Sequence, residues 1–284
     1  MKLELHIVAL MLISALLHAS WNGLVKAETT DRLVSFMVVM VSGGVFALFF
    51  LPFVEIPAAA ALPFLLASAL IHYVYYFTLL NAYAHGDLSH VYPIARGSAP
   101  ALVAVISAVV AGEFLTLREV AGVGLVSLGI GSLAIGRSAS GGGDPLKATI
   151  FALITGALIA AYSVVDGLGA RAAGNPLSYI VWLNLLESPG ILIYVLAQRG
   201  WRIMPALRKV AGRAAIGGTI ATFGYGIAIW ALSLGAMAHV AALRETSVLF
   251  ATLIGTRLLG ESFGARRLAA ALVVVAGLLL MNLR

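Results

Sequence analysis

The sequence predicts an all-α membrane protein with ten transmembrane helices arranged as a 5+5 inverted repeat. Three observations carry that expectation. The 284 residues are 61% hydrophobic and only 11% charged, whereas a soluble domain carries about 25% charged residues. Apolar runs of about 20 residues, the length that crosses a bilayer, follow one another with short loops and leave no room for a separate soluble domain. The two halves also repeat. His90-Val91 recurs as His239-Val240 at an offset of 149, while Arg96 recurs as Arg244 and Gly112-Glu113 as Gly260-Glu261 at 148, so one residue is missing from the second copy.

The ten runs read as 4–25, 33–54, 62–83, 90–111, 118–136, 148–169, 177–198, 212–233, 239–259 and 266–283. The first has Lys2 ahead of it, as a signal peptide would, but Leu17-His18-Ala19 is a poor cleavage site and the run continues through Trp21 and Asn22 into a full span. Between the fifth and sixth runs lies RSASGGGDPLK, residues 137–147, whose glycines, serines and proline make a flexible link. The chain therefore divides into a first repeat over 1–136, a linker over 137–147 and a second repeat over 148–284. His18-Ala-Ser-Trp-Asn22 aligns with Tyr162-Ser-Val-Val-Asp166 at an offset of 144, and Tyr76 aligns with Tyr225 at 149. Five spans per half is an odd number, so the second half enters the membrane from the opposite side, which makes the repeat an inverted one.

Composition also excludes classes of function. There is no cysteine, hence no disulfide and no thiolate metal site. The net charge of +6 belongs to loops that set orientation and touch anionic lipid rather than to nucleic-acid binding. Nucleotide-binding glycine loops, HExxH and Gly-x-Ser-x-Gly are all missing and the histidines are scattered, so no cofactor, metal or catalytic residue is expected. Orientation follows from the 18 Lys and Arg. Three (Arg96, Arg244, Arg257) lie inside spans, four lie on the side of the termini and 11 on the other, five of those between 199 and 213. The positive-inside rule then places both termini outside the cytoplasm.

Polar groups inside spans are expensive and mark function. His18 and Asn22 are four residues apart on one helical face, flanked by Trp21, and Tyr162 and Asp166 occupy the matching places in the sixth span. Hydrogen bonding between helices and interfacial anchoring are the structural alternative for these residues. His72 and Tyr76 share a face of the third span, and Tyr225 and Trp230 stand on the eighth. Deep aromatics of this kind can stack on a substrate or hold a cation, and aromatics near helix ends often serve only as interface belts.

His90 to Glu113 is the stretch around which the chain is organised, since Pro93, Arg96 and Pro100 all fall inside one apolar span. Arg96 and Arg244 each lie about six residues, or about 9 Å, inside their spans. They are placed to bind a carboxylate or phosphate, or to pair with Glu187, Glu245 or Asp166, unless they snorkel to the interface. Those three acids are candidate proton carriers, since a carboxylate in a low-dielectric setting readily exchanges its charge for a proton. Glu113 and Glu261, beside glycines at span ends, read as part of loop turns. Gly122, Gly129 and Gly136 in the fifth span, with Gly124 and Gly131, recur every seven residues, as do Ala270 and Gly277 in the tenth, and read as close-packing surfaces.

His18-Ala-Ser-Trp-Asn22, Tyr92-Pro-Ile-Ala-Arg96 with Pro100 and Gly112-Glu113, and Arg244-Glu-Thr-Ser247 with Gly260-Glu261 resemble the EamA family of the drug/metabolite transporter superfamily. The resemblance extends over nearly the whole chain as two tandem copies. It implies a multi-pass protein of the bacterial inner membrane with a substrate cavity between the halves, lined by spans one, three, four, six, eight and nine. It implies export of small metabolites such as amino acids, coupled to protons or another ion or running as facilitated efflux, by a monomer or homodimer. The seven-spaced glycines resemble the dimer helix of smaller four-span relatives. The chain departs from the family in two ways: no proline in the second copy matches Pro93, so the halves should not bend alike, and the basic loop lies between spans seven and eight rather than two and three. Family precedent puts the termini in the cytoplasm, opposite to the charge count.

The expected substrate-binding set is His18, Trp21, Asn22, His72, Tyr76, Tyr92, Arg96, Tyr162, Asp166, Tyr225, Trp230 and Arg244. Two other classes compete with a carrier. A polytopic membrane enzyme would need a catalytic pair that no spacing here fixes. A structural membrane subunit would not need matched polar groups deep in both halves.

Overall fold

The structure, a computed structural model, describes residues 4–26, 28, 31–135, 144–258 and 264–282, and every regular element among them is helical. The α-helices are α1 (Leu5–Lys26), α2 (Arg32–Phe50), α3 (Leu62–His85), α4 (Leu88–Ala111), α5 (Leu117–Gly131), α6 (Pro145–Ala172), α7 (Pro176–Arg199), α8 (Met204–Ser233), α9 (Met237–Arg244), α10 (Ser247–Leu258) and α11 (Ala265–Asn282). Among the described residues, nine segments are long and apolar enough to cross a membrane. One of these, Pro176–Ser233, is 58 residues long, about 87 Å at 1.5 Å per residue and nearly three times a bilayer core. It is divided into α7 and α8 by a 3₁₀ turn over Gly200–Ile203, and Gly200 takes the left-handed φ of 54° that ends α7.

Local chemistry sets most helix starts. The Asp31 carboxylate accepts the Val34 N–H at the head of α2, and Asn175 does the same for Leu177 at α7. Asp144 caps α6 through the N–H groups of Leu146 and Lys147, with Pro145 in the first turn. Thr116 and Glu119 form a capping box at α5. The structure corrects two sequence boundaries. Residues 145–147, expected in the linker, are the first turn of α6, while 136–143, with Gly136, lie outside the described residues. The basic stretch expected as a loop between spans seven and eight is largely helical: Arg208, Lys209 and Arg213 stand in the opening turns of α8.

The most extensive helix packing runs across the two halves. α3 packs on α6 and α1 on α8; α4 packs on α6, and α9 with α10 on α1; α2 lies against α7 and α5 against α11. Exposed Leu, Val, Ile and Phe cover the outer surface, as a lipid-facing surface requires. Gly122 and Gly129 of α5 are used inside the chain, against α11. A Cβ at Gly122 would meet the Gly277 carbonyl oxygen at 2.7 Å, and one at Gly129 would meet Val274 at 3.0 Å. The surface that resemblance likened to a dimer helix is therefore occupied by α11.

The ninth run is two helices, not one. α9 stops at Arg244, and Glu245 and Thr246 form a turn before α10 begins. The turn keeps its backbone hydrogen bonds by shortening them in sequence: Glu245 N–H to Ala242, Thr246 N–H to Leu243 and Val248 N–H to Glu245. The Thr246 hydroxyl also donates to the Leu243 carbonyl, at 2.7 Å.

Candidate functional site

The break places two adjacent charges at the interface between the halves. Glu245 turns to α4, where Arg96 donates from Nε to Oε2 at 3.0 Å and approaches Oε1 with Nη2 at 2.7 Å. Arg244 turns to α8, its guanidinium carbon 4.7 Å from the centre of the Tyr225 ring. A regular helix could not send neighbouring side chains to these two partners as well as the turn does. Arg96 is 4% exposed, Arg244 8% and Glu245 2%. Neither arginine snorkels.

Around this pair the sequence-expected aromatics converge. The Tyr225 hydroxyl donates to Oδ2 of Asp166, and the Tyr179 hydroxyl donates to Oδ1 at 3.0 Å, so both carboxylate oxygens of Asp166 are held. His72 stacks on Tyr162 with ring centres 4.2 Å apart, and its ring lies about 6 Å from those of Tyr76 and Tyr225. Asp166, Tyr162, Tyr76 and His72 are all buried. The structure thus brings together seven expected residues from five elements: His72 and Tyr76 on α3, Arg96 on α4, Tyr162 and Asp166 on α6, Tyr225 on α8 and Arg244 on α9.

The other five stand at the edge of this group. Trp21 donates to His18 Nδ1 at 3.3 Å and Asn22 to the His18 carbonyl at 2.8 Å, a local set on α1 in which His18 is near enough to feel both Arg96 and Arg244. Tyr92 is one turn before Arg96 and packs towards α5 and α11. Trp230 lies farther along α8, facing His6 at 6.5 Å, and does not join the ring cluster. Beside Arg244 and Glu245 the enclosed space is about 10 Å³, lined by Ala99, Ile159 and Ser163 among others. That holds about one water, so the centre is closed in this conformation.

Glu113 stands in the turn between α4 and α5, as expected, but its side chain reaches beyond that turn. Its Oε1 takes a hydrogen bond from Arg171 Nη2 at 2.6 Å, and its Oε2 accepts the Met237 N–H at 2.8 Å, at the start of α9. Arg171 also donates to the Leu232 carbonyl at 3.1 Å. Glu119 stands nearby, 3.2 Å from His239 Nε2. These contacts tie the α4–α5 connection to the ends of α6, α8 and α9 on the side of the termini. Gly260 and Glu261, the matching pair, lie outside the described residues. Among the described residues no group of His, Asp or Glu is arranged to hold a metal.

Residues 146–283 match the model of the EamA-like transporter family. Through this second half, the chain belongs to that family. A comparison with curated proteins finds no match. One crystal structure of another protein covers 98% of this EamA-like chain and 95% of its own, with a TM-score of 0.72 at 18% identity, a likeness that shows the fold alone. The family match makes this a multi-pass integral membrane protein of transporter type.

Sequence reasoning placed Glu187 and Glu245 among proton carriers but not in the site, and missed Tyr179, whose hydroxyl holds Asp166. Tyr75, Tyr76 and His72 were legible as one aromatic run on α3. Tyr179 was not, because nothing in the α7 sequence signals that its hydroxyl reaches Asp166 on α6.

Proposed function

We propose that the protein is a secondary transporter, exporting a small anionic or zwitterionic metabolite such as an amino acid across a bacterial inner membrane. Two inverted five-span halves, 1–136 and 148–284, would move by alternating access, with α7 and α8 counted as two spans and α9 with α10 as one. The packing supports this count. Exchanging the halves turns α3 on α6 into α8 on α1, and α4 on α6 into α9 and α10 on α1, while α2–α7 and α5–α11 map onto themselves.

The observation that carries the reading is the Arg244 guanidinium held over Tyr225 at the break between α9 and α10, with no carboxylate among the described residues as close to it as Glu245 is to Arg96. Discontinuous helices at the meeting of two repeats are where carriers place their substrates. A substrate carboxylate can bind Arg244 while its body stacks on Tyr162 or Tyr225. The contacts around Glu113 and Arg171 would form the closed gate on the terminal side.

The test is a thermal-shift screen of purified protein against amino acids, organic acids, sugars and amines, since a ligand that binds only the folded state raises its melting temperature. A carboxylate-bearing hit, lost in Arg244→Ala measured against its own baseline and carried across proteoliposomes, is the expected result. Hits confined to uncharged sugars or amines that survive the substitution would sink the assignment.

A further inference from the structure

Of the three acids expected as proton carriers, Asp166 and Glu245 have both oxygens engaged. Glu187 is different. Its Oε2 is buried, makes no hydrogen bond and faces His72 Nε2 at 3.4 Å. The other nitrogen of His72 decides what this contact means. Nδ1 lies 2.9 Å from the Ser68 carbonyl oxygen, which can only accept, and 3.2 Å from the Ser68 hydroxyl, which can accept as well as donate, so the tautomer that suits both contacts carries its hydrogen on Nδ1. In a neutral imidazole Nε2 is then bare, and a bare nitrogen facing a carboxylate oxygen is two acceptors with no hydrogen between them. One proton added to Oε2 turns the contact into a hydrogen bond donated to Nε2.

We propose that His72 and Glu187 form a proton-binding site that holds one exchangeable proton between Nε2 and Oε2, and that this proton is the coupling ion of transport. The coupling rests on the transporter reading above; the proton site does not. The pair joins α3 of the first half to α7 of the second. With the proton the halves are bridged, and without it the two acceptors repel. Its surroundings connect it to Arg244. The His72 ring stacks on Tyr162 and neighbours Tyr225, over which the guanidinium lies. Tyr73, Tyr75 and Tyr76 on α3, Asp166 and Tyr162 on α6, Tyr179 on α7, Tyr225 on α8 and Arg244 on α9 are the titratable and charged groups that face it, with Arg96 on α4 behind Tyr75. Taking up the proton removes one negative charge from this region, so proton and substrate carboxylate should bind together more tightly than either alone.

The experiment is infrared spectroscopy of the whole protein in liposomes, titrated across about pH 5 to 8, the range in which a histidine pair changes charge. The carbonyl stretch of a protonated carboxylic acid should grow as pH falls, vanish in Glu187→Gln and persist in Asp166→Asn and Glu245→Gln. His72→Gln should shift its midpoint, which keeps the test available if Glu187→Gln does not fold. A stretch that survives Glu187→Gln, disappears in Asp166→Asn or keeps its midpoint in His72→Gln overturns the site. A titrating Glu187 in a protein whose flux ignores a pH gradient overturns the coupling and leaves the site; a titrating Glu187 with no flux of any solute counts against the transporter reading instead.

Discussion

α4 and its counterpart, α9 with α10, reverse what their sequences suggest. α4 contains Pro93 and Pro100 and yet runs as one helix over 24 residues. The ninth run has no proline and is the one that breaks, at Glu245 and Thr246. A proline removes one backbone donor, and neighbouring helices in a membrane protein can absorb that loss. Two adjacent charges that need partners in different directions are harder to satisfy. Glu245 is drawn to Arg96 and Arg244 to Tyr225, and a short-bonded turn gives both their geometry while leaving few backbone groups bare. In this protein buried charge, more than proline, decides where a helix is interrupted.

The largest effect should come from the charge pair itself. Arg96→Ala or Glu245→Ala leaves the surviving partner buried and alone, which should destabilise the protein by about 3–5 kcal/mol, read by chemical or thermal denaturation in detergent. Replacing both by leucine should recover most of that loss. If the single changes are mild, the pair is not what holds the break.

A middle-sized effect is expected at the start of α9. Glu113→Gln keeps the size of the side chain but weakens its bonds to Arg171 and to the Met237 N–H, for a loss of about 0.5–2 kcal/mol, the range of helix-cap substitutions. It should also open the terminal side. The chain has no cysteine, so a single cysteine introduced at Ala241, which lines the small space beside Arg244, reports opening as faster labelling. Unchanged labelling would separate this contact from gating.

The smallest effect belongs to the prolines. Pro93→Ala and Pro100→Ala should each change stability by no more than about 1 kcal/mol, since α4 is already helical around them and the substitution acts largely on the unfolded chain. A loss as large as that of Arg96→Ala would restore the prolines as the organising residues of the span.

Much of the fold was legible because membrane helices announce themselves by length and apolarity. Part of the site was legible for the same reason. Arg96, Arg244, Asp166 and His72 are conspicuous in apolar runs, and they do meet. What stayed hidden was most of what a partner distant in the chain sets. Glu113 looked like a turn residue because Arg171 and Met237 are far away in sequence. Trp230 looked like a site residue because an aromatic on the face of α8 carries no sign of which neighbour it meets.

Composition and periodicity by themselves determined that this chain is helical and membrane-spanning, since backbone groups in lipid must bond within their own helix whatever surrounds it. The tertiary structure alone decided which acid pairs with which arginine, where the ninth run breaks and that Glu187 faces a histidine from the first half of the chain. Those are properties of contacts between helices distant in the chain, and buried polar groups take their character from the partner rather than from the residue type.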